Sequence, residues 1–126
     1  MTDFLQLADI LMLHAEQIDL YGGEHGFRDI GLLESAVAQA QATFDGKRLH
    51  GDLFEMAAAY LFHIVQNHPF LDGNKRAGAV AALVFLDVNG IEIDAPEGTL
   101  YKLTISIATG QAGKMDAVKF FRLHAR

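Results

Sequence analysis

The sequence contains no cysteine, which removes disulfides, thiolate zinc sites and cysteine nucleophiles together. That composition fits a reducing, cytoplasmic setting. Positive charge is also scarce: 10 Lys and Arg against 16 Asp and Glu leave a formal net charge of -6. Such a balance argues against direct nucleic-acid binding through a broad basic surface. Long hydrophobic runs are lacking as well. The longest, Ala77 to Leu86 with Gly78 inside it, is about half what a membrane span needs, so no membrane association is expected. The N-terminus opens on Thr2 and Asp3 rather than on a cationic segment before an apolar run, so no signal peptide is expected. His-Glu-x-x-His, Gly-x-Ser-x-Gly and Walker-type patterns are all missing, which disfavours a zincin, an α/β-hydrolase and a P-loop enzyme. There is no internal repeat or low-complexity tract. What remains is 126 residues, 51% hydrophobic and 21% charged, which suits one soluble globular domain over residues 1–126.

Apolar spacing and turn residues divide the chain into about six helices, and the expected fold class is all-α, a compact single-domain bundle. The first helix, capped by Thr2, turns Phe4, Leu7, Ile10/Leu11, His14 and Ile18 inward and stops at Tyr21-Gly22-Gly23. Asp29 caps a second, with Leu32/Leu33, Ala36/Val37 and Ala40 on one face. Thr43 to Gly51, with Asp45-Gly46 and Lys47-Arg48, reads either as a surface turn or as a partner-docking loop. Asp52 with Glu55 opens a third helix that ends near Asn67 or His68, because Pro69 biases its predecessor to extended backbone. A fourth begins at Gly73 or Asn74 and runs to Asn89-Gly90. Being apolar nearly all round, it is expected to be the central post. Ile91 to Asp94 alternates like a short extended connection. Pro96 suits the first turn of a fifth helix burying Leu100, Leu103/Thr104 and Ile107/Ala108. The last helix is expected to turn Met115, Val118, Phe121 and Ala125 inward. His14, His25, His50 and His124 are scattered and read as surface or capping side chains.

Chemistry concentrates in residues 68–76, His-Pro-Phe-Leu-Asp-Gly-Asn-Lys-Arg, where a loop becomes the fourth helix. A helix N-terminus offers unpaired N–H groups and the positive end of a dipole, an anion site. Gly73 allows close backbone approach, and the Asn74 side chain can cap or donate. Lys75 and Arg76 fall in the first turn, where cations disfavour the helix unless a phosphate chain relieves them. Asp72 offers a hard oxygen ligand suited to Mg2+ held against phosphate. His68 is an imidazole able to take a proton from an attacking hydroxyl. Taken singly, these residues could be caps and solvated charges. Taken together at the mouth of a buried helix, they read as a phosphate-handling site.

This loop resembles the Fic/Doc signature His-Pro-Phe-x-Asp/Glu-Gly-Asn-Gly-Arg-x-x-Arg, matching it at His68, Pro69, Phe70, Asp72, Gly73, Asn74 and Arg76. The likeness extends more weakly through Tyr21-Gly22-Gly23, Gly31 to Ala36 and the helical order up to Gly110. Two positions depart: Lys75 stands at the second glycine and Ala79 at the second arginine. Both departures resemble the Doc, or death-on-curing, toxin branch of toxin–antitoxin pairs. Physically, Lys75 adds a Cβ and a mobile cation to the phosphate nest, and Ala79 forgoes a guanidinium fork. The Fic branch implies AMP transfer from ATP to a protein hydroxyl. The Doc branch implies ATP in a reversed pose and transfer of its γ-phosphoryl group to a Ser/Thr hydroxyl, with a translation elongation factor as target and growth arrest as outcome. By the resemblance, His68 is the general base and Asp72 the Mg2+ ligand. Gly73, Asn74, Lys75 and Arg76 contact the ATP phosphates, and Phe70 anchors the loop. A catalytically idle binding module that keeps the loop as scaffold is the remaining alternative. The inhibitory Ser/Thr-x-x-x-Glu-Gly/Asn pattern of Fic members is missing, since Glu97-Gly98 follows Ile93 four residues earlier. The resemblance therefore implies restraint by a cognate antitoxin bound in a groove between helices.

Overall fold

A computed structural model describes residues 1–126 and has six helices: α1 (Leu7–Tyr21), α2 (Ile30–Gln39), α3 (Leu53–Asn67), α4 (Asn74–Val88), α5 (Thr99–Ala108) and α6 (Lys114–His124). The fold is all-α apart from one antiparallel hairpin, β1 (Thr43–Phe44) and β2 (Lys47–Arg48), in the segment between α2 and α3. The hairpin turns on Asp45-Gly46, both at positive φ, the backbone that an Asp-Gly pair supplies at low cost. No helix is long and apolar enough to cross a membrane.

Local chemistry explains several boundaries. The Asp29 carboxylate accepts the Leu32 N–H and starts α2. The Asp52 carboxylate accepts the Glu55 N–H at 2.8 Å and starts α3, while the Glu55 side chain reaches back to the Gly51 N–H rather than to Asp52. Other boundaries are set by distant partners. The first helix begins at Leu7, not beside Thr2, because the segment before it is strapped across the bundle. Both the N–H and the carbonyl of Leu5 bond the buried Tyr60 hydroxyl at 2.9 Å, and Asp3 bonds the Asn89 side chain. Pro96 lies ahead of α5 rather than in its first turn. Its carbonyl accepts the Thr99 N–H and hydroxyl, and Gly98, at φ 83, caps the helix. Ile93 does pair in extended form, bridging Ala125 beyond the end of α6.

The centre of the bundle is α3, not α4. It packs against α2, α4, α5 and α6, and buries the continuous run Met56 to Leu61 together with Ile64 and Val65. The fourth helix is buried along Ala77/Gly78, Ala81/Ala82 and Phe85/Leu86, but its remaining apolar side chains are half-exposed and Val88 is exposed. Small residues let the two helices close on each other: a Cβ on Gly78 would lie 2.9 Å from Val65 Cγ2 and 3.1 Å from the Leu61 carbonyl. Two inward assignments are corrected here. Met115 and Ala108 both face outward, and Ala117 takes the buried position beside Val118 and Phe121. In each case the helix has room for only a narrow apolar stripe.

Candidate active site

The loop at residues 68–73 joins the C-terminus of α3 to the N-terminus of α4, so the two most buried helices hold it from both sides. His68 is the C-cap of α3, with left-handed backbone at φ 50 and ψ 54 and an exposed side chain. Pro69 and Phe70 are buried immediately after it. The chain thus turns inward while the imidazole stays outside. Arg28 fastens this end: its Nε donates to the His68 carbonyl and its Nη2 to the Asn67 carbonyl, both at 2.8 Å. A cation on the last carbonyls of a helix is favourable. The Arg28 and Asp29 N–H groups both donate to the Pro69 carbonyl, Leu71 N–H donates to the Gly26 carbonyl, and Phe27 bridges Phe70.

Phe70 is fully buried and Asn74 brackets it: Oδ1 accepts the Phe70 N–H at 2.9 Å and Nδ2 donates to the Phe70 carbonyl at 3.0 Å. Asn74 is itself buried. Its amide is therefore spent on holding the loop, which leaves its backbone at the start of α4 as its part facing the cavity. His14, which the helical register sets with the inward residues of the first helix and its side-chain type sets at the surface or a cap, lies buried behind the loop, as the register has it. Its ring stacks on Phe70 with centroids 3.7 Å apart and planes 4° from parallel, and its Nε2 lies 2.7 Å from the Asp72 carbonyl. A carbonyl only accepts, so Nε2 carries the proton. Burial, chiefly, lowers the His14 pKa. His50 too is buried rather than on the surface.

Asp72 is exposed, and its Oδ1 accepts the Gly73 N–H at 2.8 Å while Oδ2 accepts the Glu24 N–H at 3.2 Å. Those two bonds, Glu24 first, hold its carboxyl below the ordinary range and keep it anionic. Arg76 reaches across to the end of α1, where Nη1 donates to Gly22 O at 2.8 Å and Gln17 O at 3.3 Å. The carbonyls of α1 thus offset much of the charge that looked misplaced in the first turn of α4. Gly23 closes over the pair: at φ 123, any Cβ there would meet Asp72 Oδ2 at 2.8 Å and Arg76 Nη2 at 3.0 Å. Lys75 is exposed and joins no ion pair.

A cavity of about 430 Å³ opens at this helix start. Asp72 to Arg76, with Ala79 one turn on, form one wall, and Leu100, Tyr101 and Thr104 of α5 form the other. His68 lies outside these walls. Five of the six site residues read from the sequence, Asp72, Gly73, Asn74, Lys75 and Arg76, thus share one cavity. Asp72 is the single carboxylate lining the cavity, and no group of three or more His, Asp or Glu side chains is arranged to hold a metal ion. Sequence reasoning missed His14, Arg28, the Gly23 and Glu24 backbone and the α5 wall. Of these, His14 left a signal in its register with Ile10 and Ile18 on the buried face of α1, and Gly23 in the family likeness at Tyr21-Gly22-Gly23.

The model of the Fic/DOC family matches residues 4–86, a span that runs from before α1 into α4 and includes the whole loop. The chain is 41% identical over 95 residues to Toxin Doc of Mycolicibacterium smegmatis, covering 75% of this chain and 71% of that protein. It is 38% identical over 104 residues to Protein kinase doc of Escherichia phage P1, covering 82% and 80%. A helical bundle whose matched region contains this fastened loop, with relatives covered over most of their length, settles the family: the chain belongs to the Fic/DOC family.

Proposed function

We propose that the chain is a Doc-like toxin that transfers the γ-phosphoryl group of ATP to a Ser/Thr hydroxyl of a protein target, causing growth arrest. One observation carries the choice between branches: the cavity wall presents Lys75 as an unpaired cation and Ala79 as a small apolar side chain. A site built for a long, fixed phosphate grip would place a guanidinium fork at the second position. Here the charge is gathered at the first turn of α4, suited to a short terminal stretch of the phosphate chain.

In this reading the target hydroxyl approaches exposed His68, whose imidazole removes the proton as the hydroxyl oxygen bonds the γ-phosphorus. The bond from that phosphorus to the β–γ bridging oxygen breaks, and ADP leaves. Lys75, and the Arg76 donors not engaged by α1, neutralise the transferring oxygens, while the backbone at Gly73 and Asn74 receives the phosphate chain. The donor set fits Mg2+: an anionic, exposed carboxylate at a cavity, alone among protein ligands, is what a phosphate-bound Mg2+ uses, and the ion would add Lewis-acid charge stabilisation. The target proposed from the branch is a translation elongation factor, which implies a cytoplasmic site of action. A cognate antitoxin is proposed as the restraint.

Cell extract incubated with the protein and ATP labelled at either the α or the γ position tests the reaction. Label entering a protein from the γ position alone is expected. Label from the α position alone would establish AMP transfer instead, and no label from either, with no ATP binding, would favour an idle module. His68→Ala is expected to remain folded and to abolish both labelling and growth arrest; full toxicity in that variant would exclude His68 as the base.

A further inference from the structure

The mechanism above uses no residue of α1, yet α1 places one buried imidazole directly behind the loop. His14 is 4% exposed and touches two separate parts of the machinery. Its face lies flat on Phe70 at 3.7 Å, and its edge bonds the Asp72 carbonyl at 2.7 Å. The other backbone ties of the loop come from elsewhere: Phe70 from Asn74, Pro69 from Arg28 and Asp29, Leu71 from Gly26. The Asp72 peptide is the last link before Gly73, and its carbonyl has only His14 as a side-chain partner. The Gly73 N–H on the other edge of that peptide donates to Asp72 Oδ1, so the orientation of the peptide fixes the carboxylate that Asp72 presents. A Cβ on Gly73 would lie 3.5 Å from His14 Nε2, so the imidazole also borders the helix start itself.

We propose that His14 is a positioning residue that acts through Asp72, its hydrogen bond setting the peptide whose other edge, the Gly73 N–H, holds the Asp72 carboxylate at the cavity. The proposal rests on the reading of Asp72 as the group that meets a nucleotide-bound Mg2+. A core aromatic at residue 14 would serve packing equally well, because the stack on Phe70 needs only a flat ring. The polar edge is what packing does not require. Removing it leaves a part-buried carbonyl unpaired, a loss that the loop can avoid only by rotating the peptide.

Two substitutions separate the ring from its edge. His14→Phe keeps the flat ring and removes the donor; His14→Gln removes the ring and keeps a donor near the position of Nε2. Three quantities are read for each: binding of a fluorescent ATP analogue as Mg2+ is titrated, phosphoryl transfer as KM and kcat, and amide hydrogen exchange at Gly73. For His14→Phe the Mg2+ concentration giving half-maximal nucleotide binding is expected to rise about ten-fold, with Gly73 exchange faster. The unfolding midpoint should stay near that of the wild type. For His14→Gln the Mg2+ requirement should return to within about three-fold of wild type. Unchanged Mg2+ dependence and unchanged Gly73 exchange in His14→Phe would overturn the proposal, as would a His14→Gln variant impaired as fully as His14→Phe. Should the wild type transfer AMP rather than phosphate, the function proposed above fails while the binding measurement still decides the role of His14. Should it bind no nucleotide, the exchange measurement decides it.

Discussion

His68 and Asp45 are the two non-glycine residues with positive φ. Asp45 sits in the hairpin turn, where Asp is at home. His68 ends a helix, where glycine is the usual occupant because it has no Cβ to clash with the next carbonyl. A side chain retained there carries a local cost on the order of 1 kcal/mol. The expected outcome is a separation of stability from activity: His68→Gly and His68→Ala are both inactive, but the glycine variant melts about 3–4 °C higher than the alanine variant. Equal melting temperatures would remove the argument for backbone strain at this residue. At this scale the signature loop was legible because its residues are adjacent in sequence and its chemistry is local. Its supports were not. Nothing in the sequence tells that Arg28 reaches two carbonyls at the end of α3, or that Asn74 turns its amide inward to Phe70 instead of outward. His14 carried a contradictory signal, a polar residue at an apolar position, and only the loop packed behind it shows why.

Among the elements, α3 and α4 make the decisive contact. Gly78 interrupts the apolar run of α4, and alanine there would ordinarily improve a helix by about 1 kcal/mol. The approach of Val65 Cγ2 to 2.9 Å and of the Leu61 carbonyl to 3.1 Å from any added Cβ reverses that expectation. Gly78→Ala is expected to destabilise the protein by about 1–2 kcal/mol net, seen as a lower urea midpoint at an unchanged slope. A raised midpoint would mean that the helices are less closely approached. Element ends were readable where an adjacent side chain supplies the cap, as at Asp29 and Asp52, or where Asn89-Gly90 stops the helix. They were misread where the deciding partner is far along the chain. The start of α1 depends on Tyr60, which lies 55 residues away from Leu5. The hairpin between α2 and α3 escaped because its strands are two exposed residues each, too short to show any alternation.

For the molecule as a whole, half-buried His63 and buried His50 are expected to set the acid limit. Burial, first, with Lys114 and His50 nearby, pushes the His63 pKa down to about 4, and burial lowers that of His50, where Lys114 opposes and Glu55 favours the charge. Their Nε2 atoms have no partner. A histidine whose folded pKa lies below its unfolded value costs nothing above the unfolded pKa, near 6.5. As pH falls through 6.5 the unfolded chain takes up the proton first, and the loss is complete once pH passes the folded value near 4. Stability is therefore expected to fall between pH 6.5 and 4, by up to about 3 kcal/mol from His63. His63→Leu should flatten that decline; a melting temperature level from pH 7 to 5 in the wild type would contradict it. Fold class and helix count were legible at this scale, but the identity of the central helix was not. Both α3 and α4 are apolar enough to be central, and only packing shows that α3 has neighbours on every side. That arrangement bears on control. The loop after His68 is the joint between the two helices that the bundle can least afford to move, and hydrogen bonds tie its backbone at every residue from His68 to Gly73. Such a joint behaves as a weld rather than a hinge, so the site has no relaxed position in which to be stored. Under the function proposed above, restraint is expected to act as a cover laid over a finished surface, with activity following the number of covers present rather than a change of shape underneath.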